Sequence, residues 1–367
     1  MCDPVLQPDW FSRPGDSLMA AMRRRGLTVA EVADKLPGGR EHLRGYVAGS
    51  LPIDRAAAVA LAGMVGGSTE FWLQRQENYE RDLERATSAV PDGDASVWLN
   101  AIPMPGAKPR GRATEETRRT ELRRRLAFFG VGTLAAWEHR YGRDRVATHF
   151  RTSAAFASLE GAVSLWLRQG ELEASLVDTE TWAPNALRAR LPDIVGLSRI
   201  AKPARFLPRL KQLLAEAGVA LVVLRAPNQC RASGASRLIR PDKAMILLSF
   251  RYRSDDHFWF TVLHEIGHLL LHGARAFVDE DDTPDDECER EANGFAASVI
   301  VPAKSWERLE EFEPSYKDIT RFAVSVGVSA GLILGQLQHV GRVPRDRMNF
   351  LRRHWTWREI EGALVSL

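Results

Sequence analysis

The chain has 367 residues, 45% of them hydrophobic and 26% charged, with a net charge of only +3. That length admits two or three domains with sizeable cores, and the charge is too small to argue nucleic-acid binding except from local clusters. No run of eighteen apolar residues occurs, so no membrane partner is expected.

The opening Met1-Cys2-Asp3-Pro4 lacks a basic region followed by an apolar core, which argues against a secretory signal. Cys2, Cys230 and Cys288 are odd in number and far apart, as in a reducing compartment. Both features predict a cytoplasmic protein.

From Gly15 to about Leu83 the spacing predicts five short helices. Leu18, Met22 and Leu27 form a first apolar stripe, and Thr28 caps a second helix over Val29 to Leu36, with Glu31 at the capping-box position. Pro37-Gly38-Gly39 breaks it. A third helix over Arg40 to Val47 keeps Leu43 and Val47 inside and Arg40, Glu41 and Arg44 outside, Asp54 caps a fourth, and Thr69 caps a fifth containing Phe71-Trp72-Leu73. Two short helices across a glycine turn read as a helix-turn-helix, with Arg40, Glu41 and Arg44 facing DNA and Arg24, within the Arg23 to Arg25 cluster, against phosphates. The competing reading is a bundle that binds only protein.

Pro91 to Arg112 reads as a linker or irregular bridge. A charged helix follows over Glu115 to Phe129, in which Arg123-Arg124-Arg125 reads as part of a solvated face. Another spans Ser153 to Glu173, with Val163, Trp166 and Leu167 on its apolar side. Beyond Pro203 a helix leads to a strand at Val219 to Leu224, and Ser236 to Ile239 and Ala244 to Phe250 read as two more around Pro241-Asp242-Lys243.

Next comes Val262-Leu263-His264-Glu265-Ile266-Gly267-His268-Leu269-Leu270, which contains an H-E-x-x-H motif. On a helix, His264 and His268 share a face and can both ligate one Zn²⁺, with Glu265 beside the open coordination position. Two histidines leave the ion short of ligands. In the alanine-rich run from Cys288 to Ala297, Glu289 is the third-ligand candidate, Asn293 a group that orients a ligand, and Glu291 the alternative. Tyr252, His257 and His272 are candidates for stabilising an oxyanion, and His272, one turn past His268, is also placed to support a ligand instead. The acidic run Asp279 to Glu287 reads as a solvated loop, and Ile319 to Leu337 as a packed helix-turn-helix cadence.

The stretches from Leu248 through His272 and from Glu289 to Ala296 resemble the ImmA/IrrE family of metallo-endopeptidases, over roughly Ala217 to Pro302. The N-terminal unit is similar to HigA/XRE-type antitoxin domains through Pro14-Gly15, the turn region and Phe71-Trp72-Leu73. The resemblance implies a mainly α protein with a small β-sheet (α+β): a helix-turn-helix domain over 1–85, a helical middle region over 86–202, a zincin-like peptidase domain over 203–312 and a C-terminal helical region over 313–367. It implies Zn²⁺ on His264, His268 and Glu289, Glu265 as general base, and a repressor-like regulatory protein as substrate. DNA is the expected partner of the N-terminal domain, and a homodimer is compatible with it. The reading from another class is a non-enzymatic antitoxin or autorepressor whose C-terminal domain binds a toxin or ligand; the intact Glu265 favours the enzyme.

Overall fold

The computed structural model describes residues 11–103, 114–142, 154–273, 277–280, 287–310 and 315–365. Among the described residues the chain is mainly helical with one small sheet, and it divides into two compact units that meet in sequence between Asp178 and Thr179.

The first unit begins with α1 (Pro14–Arg24), α2 (Val29–Lys35), α3 (Gly39–Ala48), α4 (Arg55–Val65) and α5 (Thr69–Ala89). Their termini follow local chemistry. Thr28 accepts a hydrogen bond from the Glu31 amide while Glu31 accepts from the Thr28 amide, which closes the expected capping box. Asp54 caps α4, whereas α5 is capped by Ser68, one residue before the expected Thr69. Gly38 and Gly39 both take positive φ, +83° and +60°, which lets the chain turn sharply from α2 into α3. Leu18, Met22, Val32, Leu43, Leu61 and Trp72 are buried together between these helices.

The same unit continues with α6 (Asp92–Ala101), α7 (Glu115–Phe129), α8 (Leu134–Tyr141) and α9 (Ala154–Ser175). Trp98, Phe129, Trp137 and Tyr141 form a second aromatic core. Arg125 departs from the solvated face expected of it. It turns inward and donates to the carbonyls of Leu99 at 2.6 Å and Ile102 at 2.7 Å, so it splices α7 to the end of α6. The end of α9 lies against α3: Arg44 pairs with Glu173 at 2.9 Å, Arg40 donates to the Leu176 carbonyl, and the Asp178 carboxylate accepts from the Val29 amide at 2.9 Å.

The second unit opens with α10 (Pro184–Gly196) and α11 (Pro203–Ala215), followed by β1 (Val219–Val223), β2 (Ala232–Arg240) and β3 (Lys243–Leu248). Then come α12 (Asp255–Leu271), β4 (Phe277–Glu280), α13 (Glu287–Ile300), α14 (Ala303–Glu310), α15 (Tyr316–Val326), α16 (Ala330–His339) and α17 (Trp357–Val365). The strand order is β1-β3-β2-β4, with β1 parallel to β3 and the other pairings antiparallel. β2 reaches four residues further back than its alternation suggests, because Ala232, Ser233 and Gly234 have weak strand preference and are carried by pairing on both sides. The acidic run holds the end of β4 and the first residue of α13; its centre, 281–286, lies outside the described residues.

α12 is the axis of this unit and is buried on nearly every face. Even its N-terminal aspartates are inside. Asp255 accepts from the Arg353 amide at 3.0 Å, while Asp256 accepts from Ser254 Oγ and pairs with Arg352 at 2.6 Å. Burial pushes the Asp255 pKa up, against the backbone bond from Arg353. The chain holding these arginines is fastened in turn, with Trp355 Nε1 donating to the Ala201 carbonyl at 2.8 Å. α15 and α16, bent by 111°, are core helices carrying Ile319, Phe322, Leu332 and Leu337, and among the described residues no single helix is long and apolar enough to cross a membrane.

Removing one partner of a buried ion pair leaves an uncompensated charge. Arg352→Ala is therefore expected to cost about 3 kcal/mol in urea unfolding. Asp256→Ala added to it should cost less than the sum of the two singles, since both remove one interaction.

Candidate metal centre

Val262, Leu263 and Ile266 surround the motif on α12 with apolar side chains, and His264, Glu265 and His268 are buried among them. The four-residue spacing turns both rings to one side, where their Nε2 atoms stand 2.9 Å apart. α13 comes close because the contact is made of small residues: a methyl group on Gly267 would meet Phe295 at 3.1 Å and the Ala292 Cα at 3.3 Å. This approach delivers Glu289, whose carboxylate oxygens lie 3.2 Å from His264 Nε2 and 3.3 Å from His268 Nε2. The three form a buried group that could hold a metal ion. Glu291 points elsewhere, to His272 Nε2 at 2.8 Å.

Two imidazoles and one carboxylate suit a borderline transition ion better than the hard ions that prefer all-oxygen sites. The protonation states agree. Burial would raise the Glu289 pKa, but the imidazoles of His264 and His268 beside it outweigh that and bring it to about 2. Burial lowers the pKa of His268, with Glu289 opposing. At neutral pH the carboxylate is thus ionised and the ring neutral, as metal ligation requires.

Glu265 follows His264 on the helix, so its carboxylate leaves on a different side and lies against β2. A Cβ added to Gly234 would stand 2.5 Å from Glu265 Oε1 and 2.6 Å from the Thr261 methyl. Gly234 is the functional position that sequence reasoning missed. Its signal was a glycine just before a strand pattern, which marks a close approach to the backbone.

Asn293 sits where expected, its Oδ1 2.9 Å from His264 Nδ1. His272 does not reach the donor side of the cluster. Its Nδ1 faces His268 Nδ1 at 3.1 Å, behind the ligand, so of its two expected places it takes that of support rather than oxyanion donor. Tyr252 stacks on His257 with ring centroids 4.3 Å apart. His257 precedes His264 by two helical turns, about 10 Å along the axis. The stack lines a shallow groove with Ser233, Phe250 and Thr261, and Thr261 lies one turn before Glu265. All four residues read as DNA contacts, Arg24, Arg40, Glu41 and Arg44, are exposed, and Arg40 and Arg44 are also engaged by the end of α9.

One divalent ion per chain is expected by elemental analysis of the purified protein. His264→Ala or His268→Ala should abolish it, and Glu289→Ala should weaken it more than Glu291→Ala. Because burial keeps His268 neutral below the ordinary imidazole range, the ion should be retained at pH 6.5 and displaced by protons only at lower pH.

Residues 220–337 match the family model of the IrrE N-terminal-like domain, a peptidase family. No curated protein matches the chain. The matched stretch includes His264, Glu265, His268 and Glu289, so the candidate metal centre lies within the part of the chain that is similar to that peptidase family.

Proposed function

We propose that the chain is a zinc-dependent endopeptidase that cleaves a repressor-like regulatory protein, with a zincin-like catalytic unit and an N-terminal helix-turn-helix that brings it to DNA. The separation of the three donors carries the catalytic part. Zinc bonds of about 2.0 to 2.1 Å in a tetrahedron place neighbouring ligand atoms about 3.3 Å apart, and the donors here are 2.9, 3.2 and 3.3 Å from one another.

Zinc, when bound, supplies Lewis acidity and lowers the pKa of its water toward neutrality. Glu265 takes the proton from the attacking water and returns it to the leaving amine nitrogen, and its burial beside Gly234 limits the positions its carboxylate can occupy. Ligation would require His264 and His268 as neutral rings, with the Glu289 carboxylate supplying negative charge beside them. An extended substrate fits this reading, because β4 ends the sheet next to β2 and offers its backbone for strand addition. The groove below Tyr252 and His257 would then receive a substrate side chain.

Glu265→Gln keeps the shape of the side chain and removes the base. It is expected to leave zinc content unchanged and to lower peptide cleavage by about 10²- to 10⁴-fold. Expressed beside its genomic neighbours, the wild type should yield a cleaved regulatory protein and the variant should not. Regulation that survives Glu265→Gln intact would return the C-terminal unit to a binding role.

For DNA, the expected readout is a mobility shift with the promoter upstream of its own gene. Arg24→Ala should weaken binding to all sequences alike. Glu173→Gln, which releases Arg44, should strengthen binding by up to about five-fold, the worth of an exposed ion pair. No shift at any salt concentration would assign the unit to protein recognition.

A further inference from the structure

The two histidines of the metal group are oriented differently. His264 Nδ1 faces an amide oxygen, that of Asn293, at 2.9 Å. An oxygen only accepts, so His264 carries its proton on Nδ1 and turns an Nε2 lone pair toward the cluster. His268 Nδ1 instead faces another imidazole, His272 Nδ1, at 3.1 Å. A neutral imidazole donates from one nitrogen and accepts at the other, so this pair alone leaves the direction of the bond open. In one direction His268 presents a lone pair to the metal. In the other its Nε2 carries the proton and cannot ligate.

We propose that Glu291 and His272 are positioning residues that select the metal-binding tautomer of His268, an inference that rests on the zinc reading above. A carboxylate is an acceptor only, and Glu291 Oε2 lies 2.8 Å from His272 Nε2. His272 therefore carries its proton on Nε2 and offers Nδ1 as acceptor. His268 must donate from Nδ1, and its Nε2 lone pair is left facing Glu289 and His264. The order of protons runs one way from Glu291 to the metal position. α13 thereby orients both histidines of α12, His264 through Asn293 and His268 through Glu291 and His272, while it supplies Glu289 itself. Such outer partners are commonly worth 10- to 100-fold in metal affinity.

The test uses the full chain with Glu291→Gln, His272→Phe, the double variant, and Glu287→Gln as a control that loses an exposed acid from the same helix turn. Zinc affinity is read by competition with a chelating dye. The expected result is a fall of about 10- to 100-fold for Glu291→Gln, a similar fall for His272→Phe, little further loss in the double variant, and no change for Glu287→Gln. Partial recovery with Glu291→Asp, which restores an acceptor-only group, would support the tautomer argument. ¹⁵N shifts of the imidazoles in metal-free protein give a second readout, with His268 on the Nδ1–H form in wild type and a mixture in Glu291→Gln. Unchanged affinity and tautomer in Glu291→Gln, an equal loss in Glu287→Gln, or losses that multiply in the double variant would overturn the proposal. A wild type that holds no zinc but shows the Nδ1–H form would sink the zinc reading and leave the orientation of His268 standing.

Discussion

The contact between Gly267 and Ala292 is the constraint on which the metal group depends. Two histidines on one helix face are a common arrangement in any buried helix, and they acquire a third donor only if another backbone comes near enough for a glutamate to reach them. Even a methyl group on Gly267 would require Phe295 or Ala292 to give by a few tenths of an ångström, and a bulkier side chain there would press α13 further from both rings. The pairing also explains why α13 is rich in alanine between its functional residues, since Ala292 and Ala296 fill the seam while Glu289, Glu291 and Asn293 project from its borders.

The parts of this centre that are local in sequence were legible there. His264, Glu265 and His268 follow from helical periodicity, and Glu289 from a carboxylate on a helix with a small-residue face. What could not be read is what depends on a partner from elsewhere. Gly234 gains meaning only once β2 is known to lie under α12, and the side on which His272 stands follows from Glu291, nineteen positions later. Nor does the pattern around Tyr252 announce that its ring stacks on His257.

The N-terminal unit shows the same division. Its caps at Thr28 and Asp54 and its glycine turn follow from adjacent residues. The pairing of Arg44 with Glu173 spans 129 positions, and no pattern around either residue announces it. Arg125 illustrates the opposite error: three arginines in a row look like a solvent-facing run, yet one of them is turned inward by two carbonyls at the end of the preceding helix.

The buried aspartates at the start of α12 bear on where the second unit ends. The family match stops at residue 337, but the guanidinium that balances Asp256, the backbone amide that Asp255 accepts from, and Trp355, whose ring packs on Phe250 and Phe258, all come later in the chain. A fragment cut where the resemblance ends would carry every metal ligand and still begin its central helix with two carboxylates facing an apolar interior with no cation beside them. The end of the family match and the end of the folding unit are therefore different residues, and an excised second unit needs the segment through α17, whose Ile360 and Ala363 join the same core, to be a self-sufficient piece of protein.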